Sequence, residues 1–499
     1  METSYHRVRQ FKKSIWKELL KSYGIILFLF IVFICMYLFL WFYDYIEILI
    51  YVSCIFLVFV FIWSLWTWKV ITNSLFDPYI LFLITAILFN AGQAFLEVFN
   101  LNEFGILQGQ FILKTILDTL LLVIISLISF HSGALLCAGR SLKKKYQKEN
   151  VELPTTQEVR MVGWGLLLVS AIPAFLFLRD SFNNVMSFGY FIIFQKAPTI
   201  GFDAIQQNLG TFLVPGTLFL IAGSKRRLSG IMVSLIVILT YSLIRLFLGS
   251  RGWAVMPLIA YVWLWHRCIN PIPKAAIFVG TGILLFIAFP IIGVVRNIPG
   301  EERYFLSFLI ETFLSINNPV VSIISELGGS MGTIAHTLEL VPDTRPFEMG
   351  QGYLYAAYTI IPNLFWDIHP TIARGIASEW LTWTVNPIAA FQGGGLGYSF
   401  IAEAYLNFGW FGAPIALGII GFLFGKLVLW AHKSGDFRKL AMVASFLAFF
   451  LFYARGESAH VLRSLIWYSF FPYILTYIFR VKKLTILKNR FVNGLKLKY

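Results

Sequence analysis

The chain has 499 residues, 58% of them hydrophobic and 13% charged, where an ordinary soluble protein has about 45–50% and about 25%. A mean hydropathy of +0.75 excludes a globule with a wettable surface. The apolar residues fall in runs of about 20, the length of helix that crosses about 30 Å of hydrocarbon. A β-barrel is excluded, because its strands would alternate over about ten residues. The net charge of +15 does not point to nucleic acid: most of it sits in short loops between apolar runs, where membrane proteins carry their cytoplasmic Lys and Arg.

The basic start (Arg7, Arg9, Lys12, Lys13, Lys17, Lys21) leads into a run long enough to span, so the first helix is expected to stay as an anchor. Reading apolar runs against breaks predicts an all-α polytopic membrane protein of about twelve transmembrane helices. They are centred on 25–42, 46–66, 79–97, 112–137, 161–178, 209–223, 229–247, 253–268, 275–295, 399–429, 440–454 and 461–479. Residues 1–499 read as a single integral membrane domain. Cys35, Cys54, Cys137 and Cys268 lie in or at the edge of apolar runs, spaced neither as a disulfide framework nor as a zinc site. No metal or cofactor is expected.

With the N-terminus inside and the chain alternating, 29 of the 40 Lys and Arg fall on the inner face, chiefly in the N-terminus, the 140–160 loop and the tail from Arg480 to Lys498. The predicted orientation is therefore N-in and C-in. Eleven cations remain outside: Lys114, Lys196 and nine arginines, Arg179, Arg245, Arg251, Arg296, Arg303, Arg345, Arg374, Arg455 and Arg463. Arginine is the side chain for bidentate binding of phosphate. Surface charge or snorkelling accounts for some of them. Several, however, sit at the ends of different helices and could converge on one anion.

Between the ninth and tenth spans lies a large loop, 297–398, assigned outside. It holds periodic apolar stretches at 304–316 and 319–341 and an aromatic stretch from Phe365 to Phe391. Glu326, His336, Glu339 and three glycines make 319–341 a poor span, so it reads as an interfacial or loop helix. A long loop in a compact architecture usually carries function. The loop's aromatics, including Tyr353, Tyr355, Tyr358, Trp366, Trp380 and Trp383, suit sugar stacking and membrane-interface anchoring about equally.

Three places carry candidate chemistry. Gly249-Ser250-Arg251-Gly252 sits at the outer end of the seventh span with Arg245 in its last turn, and Arg245 and Arg251 could share a pyrophosphate. Arg455-Gly456-Glu457 with His460 and Arg463 opens the twelfth span; Glu457 and His460 share a helix face, and Glu457 could pair with Arg463. In GGGLGYSFIAEAYLNFGWFG (393–412), Glu403 and Asn407 share one face of the tenth helix. A buried carboxylate is costly without a partner, so Glu403 is expected to meet an arginine or to serve as a base. The glycines have no strand–turn–helix unit around them and are no dinucleotide fingerprint.

Three segments, GYLYAAYTIIPNLFW (352–366), SFIAEAYLNFGWFG (399–412) and RGESAHVLRSLIWY (455–468), resemble the bacterial O-antigen/oligosaccharide repeat-unit polymerases of the Wzy type. The resemblance lies mostly in the second half of the chain. It implies a membrane glycosyltransferase related to the GT-C class, joining lipid-linked oligosaccharide donor and acceptor on the outer face of the cytoplasmic (inner) membrane, with no nucleotide sugar or metal. A chain-length regulator and a flippase are the partners it implies. Arg251, Arg296, Arg455, Glu403 and Asn407 occupy motif-like positions; Arg245, Glu457 and His460 are added by proximity. The expected catalytic residues are Glu403 as general base, with Arg251 and Arg455 on the pyrophosphate. Arg245, Arg296, Asn407, Glu457 and His460 are expected to bind substrate. Glu457, His336 and His369 are the next candidates for the base. The competing classes are a ligase that moves finished glycan from the same lipid, and a lipid-linked oligosaccharide flippase. A transporter would place its ionisable residues near the midplane and often shows related halves. Here the charges gather at one face and no repeat is visible.

Overall fold

The computed structural model describes residues 2–143, 156–193, 202–295, 310–311, 314, 316, 318–363 and 366–480. These residues contain helices, turns and loops but no strand. In chain order the long helices are α1 (Glu2–Phe42), α2 (Ile46–Thr72), α3 (Pro78–Val98), α4 (Leu113–Lys143), α5 (Thr156–Phe188), α6 (Phe202–Thr211), α7 (Leu213–Ala222), α8 (Leu228–Phe247) and α9 (Arg251–Cys268). Next come α10 (Lys274–Ile283) and α11 (Phe289–Val295), joined through a π-helical turn at Leu284–Ala288. The large loop folds into short helices: α12 (Pro319–Leu327), α13 (Ser330–Leu340), α14 (Gln351–Tyr358), α15 (Pro370–Arg374), α16 (Ala377–Val385) and α17 (Pro387–Phe391). The chain then returns through α18 (Phe400–Ser434), α19 (Phe437–Phe450) and α20 (Ser458–Leu465), the last running on through a π-helical turn at Ile466–Phe470.

Nine of the described helices are long and apolar enough to cross a membrane: Trp16–Phe42, Ile46–Thr72, Pro78–Val98, Leu113–Arg140, Thr156–Phe188, Leu228–Phe247, Lys274–Gly293, Phe400–His432 and Phe437–Arg455. Three of the twelve expected spans fall short of that standard. Residues 209–223 are split at Phe212 between α6 and α7, and α7 is buried along nearly its whole length by α5, α8, α9 and α19. A helix wrapped by protein needs no span-length apolar run of its own. The 253–268 segment is an 18-residue helix carrying Arg251 at its start and His266 and Arg267 in its last turn. The 461–479 segment starts in α20 and changes to a π-helical turn at Ile466.

The spanning helices are held together by backbone contact. In lipid there is no hydrophobic force between helices, so association depends on close packing of small residues. Helices α4 and α18 share the most extensive helix pairing in the molecule. A Cβ added at Gly133 of α4 would overlap the Gly418 carbonyl of α18, and one at Gly421 would overlap the Phe130 carbonyl.

Three of the six short helices of the loop start on a common device. Asn318, His369 and Asn386 each precede a proline at the first helical position, and each side chain accepts a backbone N–H of the first turn. Proline lacks the N–H that would be orphaned there, and the cap satisfies another. The 319–341 stretch is broken at Gly328–Gly329 into α12 and α13, neither of which is span-length. They pack on α3 and α4.

Gly421→Leu is expected to force α4 and α18 apart at a cost of at least about 1–3 kcal/mol. The measurement is thermal unfolding of the detergent-purified protein, with fluorescence-detected size exclusion as a check on its dispersity. A variant as stable and monodisperse as the parent would show that this contact does not set the helix spacing.

Candidate functional site

Asn90 of α3 organises one end of the bundle. Its Oδ1 accepts a hydrogen bond from Ser399 Oγ (2.5 Å) and its Nδ2 donates to the Ala454 carbonyl (2.9 Å). Ser399 caps α18 through Ile401 N (3.1 Å). This one amide therefore fixes both the start of α18 and the turn before Arg455. Gly397, at φ +74°, passes so close that an added Cβ would lie 3.2 Å from Arg455 Nε.

Four residues into α18, Glu403 is buried and accepts three hydrogen bonds. Ser458 N donates to Oε1 (2.9 Å), while Ser458 Oγ (2.9 Å) and Tyr453 Oη (3.0 Å) donate to Oε2. One turn further on, Asn407 Nδ2 donates to the Glu403 carbonyl (2.8 Å) and Asn407 Oδ1 accepts from Gly352 N (3.0 Å). Glu457, also buried, accepts Ala377 N (3.0 Å) and Ser378 N (2.8 Å) at the N-terminus of α16. A carboxylate is favoured there by the unpaired N–H groups and the helix dipole.

These three side chains line a small cavity, together with Arg345, Glu348, Tyr355 and Arg374. Glu348 bridges the two arginines: Arg345 donates to Oε1, and Arg374 lies 3.0 Å from Oε2. Each guanidinium also lies over an aromatic ring, Arg345 over Trp380 (4.8 Å) and Arg374 over Tyr355 (4.6 Å). The planes are thus held by a shared carboxylate and by cation–π attraction. Tyr353 is stacked on Phe408 at 5.9 Å, and its hydroxyl pKa is pushed well above the ordinary value, first by burial and then by the charge of Glu403. At neutral pH it is a phenol and not a base.

A second, larger cavity, about 470 Å³, lies between the α3–α4 connection and helices α12 and α13. Arg251 stands beside it. Its guanidinium makes a two-pronged ion pair with Glu326, which lines the cavity, and donates to the Phe289 carbonyl (3.2 Å).

The structure thus gathers Glu403, Asn407 and Glu457 around one cavity. His460 is close by, its Nδ1 3.9 Å from Glu457 Oε1. Arg455 is exposed over the Phe89 ring (5.8 Å), two residues from both Tyr453 and Glu457. Arg251 belongs to the other cavity. Arg245 does not join it: the Arg245 side chain is buried among Phe177, Tyr241 and Trp253, 5.0–5.7 Å from their ring centres. Arg296 lies outside the described residues. Two expected pairings differ. Glu403 is held by hydroxyls and a backbone N–H instead of an arginine. Arg463 donates to the Thr359 carbonyl instead of pairing with Glu457. His369 caps α15 through Nδ1 and meets the Ile361 carbonyl through Nε2 (3.2 Å), so both ring nitrogens are engaged in structure.

Sequence reasoning left Arg345 and Arg374 as undifferentiated outer cations and did not single out Glu348. Arg345 and Glu348 are three apart in the connection between α13 and α14, and Arg374 comes 26 residues after Glu348, at the end of α15. The one available signal was that both arginines flank the Tyr/Trp-rich part of the loop.

A many-helix membrane protein with a cation- and carboxylate-lined cavity at one end of its bundle is the class these features define. The family model described as O-antigen polysaccharide polymerase Wzy matches residues 23–489, nearly the whole chain, and the chain belongs to that family. It is accordingly a multi-pass membrane polymerase of the glycosyltransferase type, acting on lipid-linked oligosaccharide repeat units. No curated protein and no solved structure matches it.

Glu457→Ala would leave the Ala377 and Ser378 N–H groups without their acceptor. It is expected to destabilise the protein by about 1–3 kcal/mol, read as a lowered Tm. An unchanged Tm would mean that water replaces the carboxylate at no cost.

Proposed function

We propose that the protein elongates a glycan on the outer face of the cytoplasmic membrane, with both termini inside, by a GT-C-type transfer between two undecaprenyl-pyrophosphate-linked substrates. The observation that carries this reading is the buried carboxylate of Glu403 sharing one small cavity with the guanidinium groups of Arg345 and Arg374. An acceptor hydroxyl of the incoming repeat unit gives its proton to Glu403 as its oxygen bonds to the anomeric carbon of the donor. The bond from that carbon to the diphosphate oxygen breaks, and the lipid diphosphate leaves with the electron pair. A carboxylate offers about four acceptor sites; three on Glu403 are filled, and one on Oε1 remains for the hydroxyl.

Charge develops on the leaving diphosphate, and fixed donors aimed at developing charge are a large source of rate. Arg345 and Arg374, held in place by Glu348, and Arg455 on the adjoining turn are assigned to that oxygen cluster. Two lipid-linked substrates bring two diphosphates. The reacting hydroxyl of the acceptor lies at the other end of its glycan from its own diphosphate, so the second anion sits away from Glu403. Arg251, at the other cavity, is assigned to it. Asn407, Glu457 and His460 position the walls of the reacting cavity.

Incubation of the purified protein with lipid-pyrophosphate repeat units alone tests the reading: longer lipid-linked products are expected. Transfer only to lipid A core would mean a ligase, and movement between leaflets without new bonds a flippase. In that assay Arg345→Ala, Arg374→Ala and Arg455→Ala are each expected to lower elongation by roughly 100-fold. Lysine at these positions is expected to rescue poorly, because it offers a point charge without the planar fork. Glu403→Gln is expected to lower turnover by at least about 100-fold while leaving donor binding nearly intact. An effect confined to binding would remove Glu403 as the base.

A further inference from the structure

We infer that the larger cavity is a subsite for the uncharged, hydroxyl-rich glycan of a lipid-linked repeat unit. The inference rests on the polymerase reading above and adds where the sugar chain lies. At about 470 Å³ the cavity falls within the range of small-molecule sites, with room for sugar rings.

Its lining chooses the ligand. The two groups that would have drawn a charged ligand are already committed: Glu326 is paired with Arg251. His336 is kept neutral at physiological pH, because burial lowers its pKa against a smaller opposing effect of Glu339. Gln93 is spent on Ser325, donating to its carbonyl (3.0 Å) and Oγ (3.1 Å). Gln108, Gln110 and Ser322 remain, exposed on the cavity wall and without a side-chain hydrogen bond among the described residues. Each amide supplies two donors and an acceptor, and the hydroxyl supplies both. Neutral groups of mixed donor and acceptor character match sugar hydroxyls; they do not match a lipid tail or a free anion. Leu107, Phe111 and Leu396 give the apolar patches on which the C–H faces of a pyranose rest.

The backbone is shaped to present this wall. Leu107 and Gln108 are both in the left-handed region (φ +54° and +57°). For residues with a side chain that conformation costs roughly 1–2 kcal/mol each. The two cavities are also continuous along the chain. Leu396 lines the larger one, Gly397 abuts Arg455, and Glu457 lines the smaller one. A glycan in the larger cavity with its diphosphate at Arg251 therefore directs its far end toward the turn that carries Arg455.

Gly332 permits a direct test. It lines the cavity, and an added Cβ would meet only Leu107 Cδ2, at 3.7 Å. Gly332→Phe consequently projects a ring into the space without disturbing the backbone. The probe is the reducing oligosaccharide released by mild acid from the host's own lipid-linked repeat unit, free of lipid and phosphate. Its binding to the full-length purified protein is followed by saturation-transfer NMR. Gly332→Phe, and separately the Gln108→Ala/Gln110→Ala double variant on the exposed connection, are each expected to weaken binding at least about tenfold, as loss of one to two hydrogen bonds predicts. No binding by the parent, or parent-like binding by the double variant and by a monodisperse Gly332→Phe protein, overturns the inference. Because the probe carries no diphosphate, its binding is independent of the arginine assignments. Failure of the elongation assay with glycan binding intact would sink the mechanism and leave the subsite standing.

Discussion

The site depends on how a carboxylate is kept at the end of a membrane bundle. Glu403 projects from the first turn of α18 into protein, where an unsatisfied charge would cost several kcal/mol. Three donors meet it, and all come from one short piece of chain, Tyr453 to Ser458. That piece is held in turn by Asn90, whose amide clasps Ala454 on one side and Ser399 on the other. One carboxylate and one amide thus join the middle of α3 to the start of α18 and to the turn between α19 and α20. The cavity walls, including Glu457 on the N-terminus of α16, are built outward from it. A hydrogen-bond network of this kind is stable only when each member is satisfied.

The architecture could be read from the sequence to the extent that lipid dictates it. Nine of the expected spans are marked by long apolar runs of the length a bilayer asks of a helix, whether they face lipid or, like Phe437–Arg455, are largely enclosed by other helices. The three that fall short are shorter or more polar: α7 has ten residues after the break at Phe212, α9 carries Arg251, His266 and Arg267 at its ends, and α20 gives way to a π-helical turn at Ile466. The site was readable where its residues lie four apart on one helix, as Glu403 and Asn407 do. It was not readable where the chain must fold back on itself. Arg345 and Arg374 meet only because Glu348 lies between them, and no periodicity encodes a contact between an irregular connection and a short loop helix. Arg245 and Arg251 illustrate the converse. Six residues apart in sequence, they are sent to an aromatic cage and to a carboxylate respectively by the turn at Gly249 and Ser250.

Arginines at this end of the molecule are seldom without a resting partner. Glu348 holds two, Glu326 holds one, and Arg245 is enclosed by three rings. A guanidinium fixed in this way has little rotamer freedom left to lose when an anion arrives, so the cost of ordering it is met during folding. The paired carboxylates also limit the positive field at this end of the molecule.

Gly409 gives α18 a mechanical division. At φ +64° it breaks the helix two residues beyond Asn407, with Pro414 following in the next turn. The turns that carry Glu403 and Asn407 are fastened to the loop helices and to Tyr453 and Ser458, while the remainder of α18 is fastened to α4. A bilayer that thins or thickens asks its helices to tilt. A joint at this position separates any tilt of the long segment from the turns that carry Glu403 and Asn407.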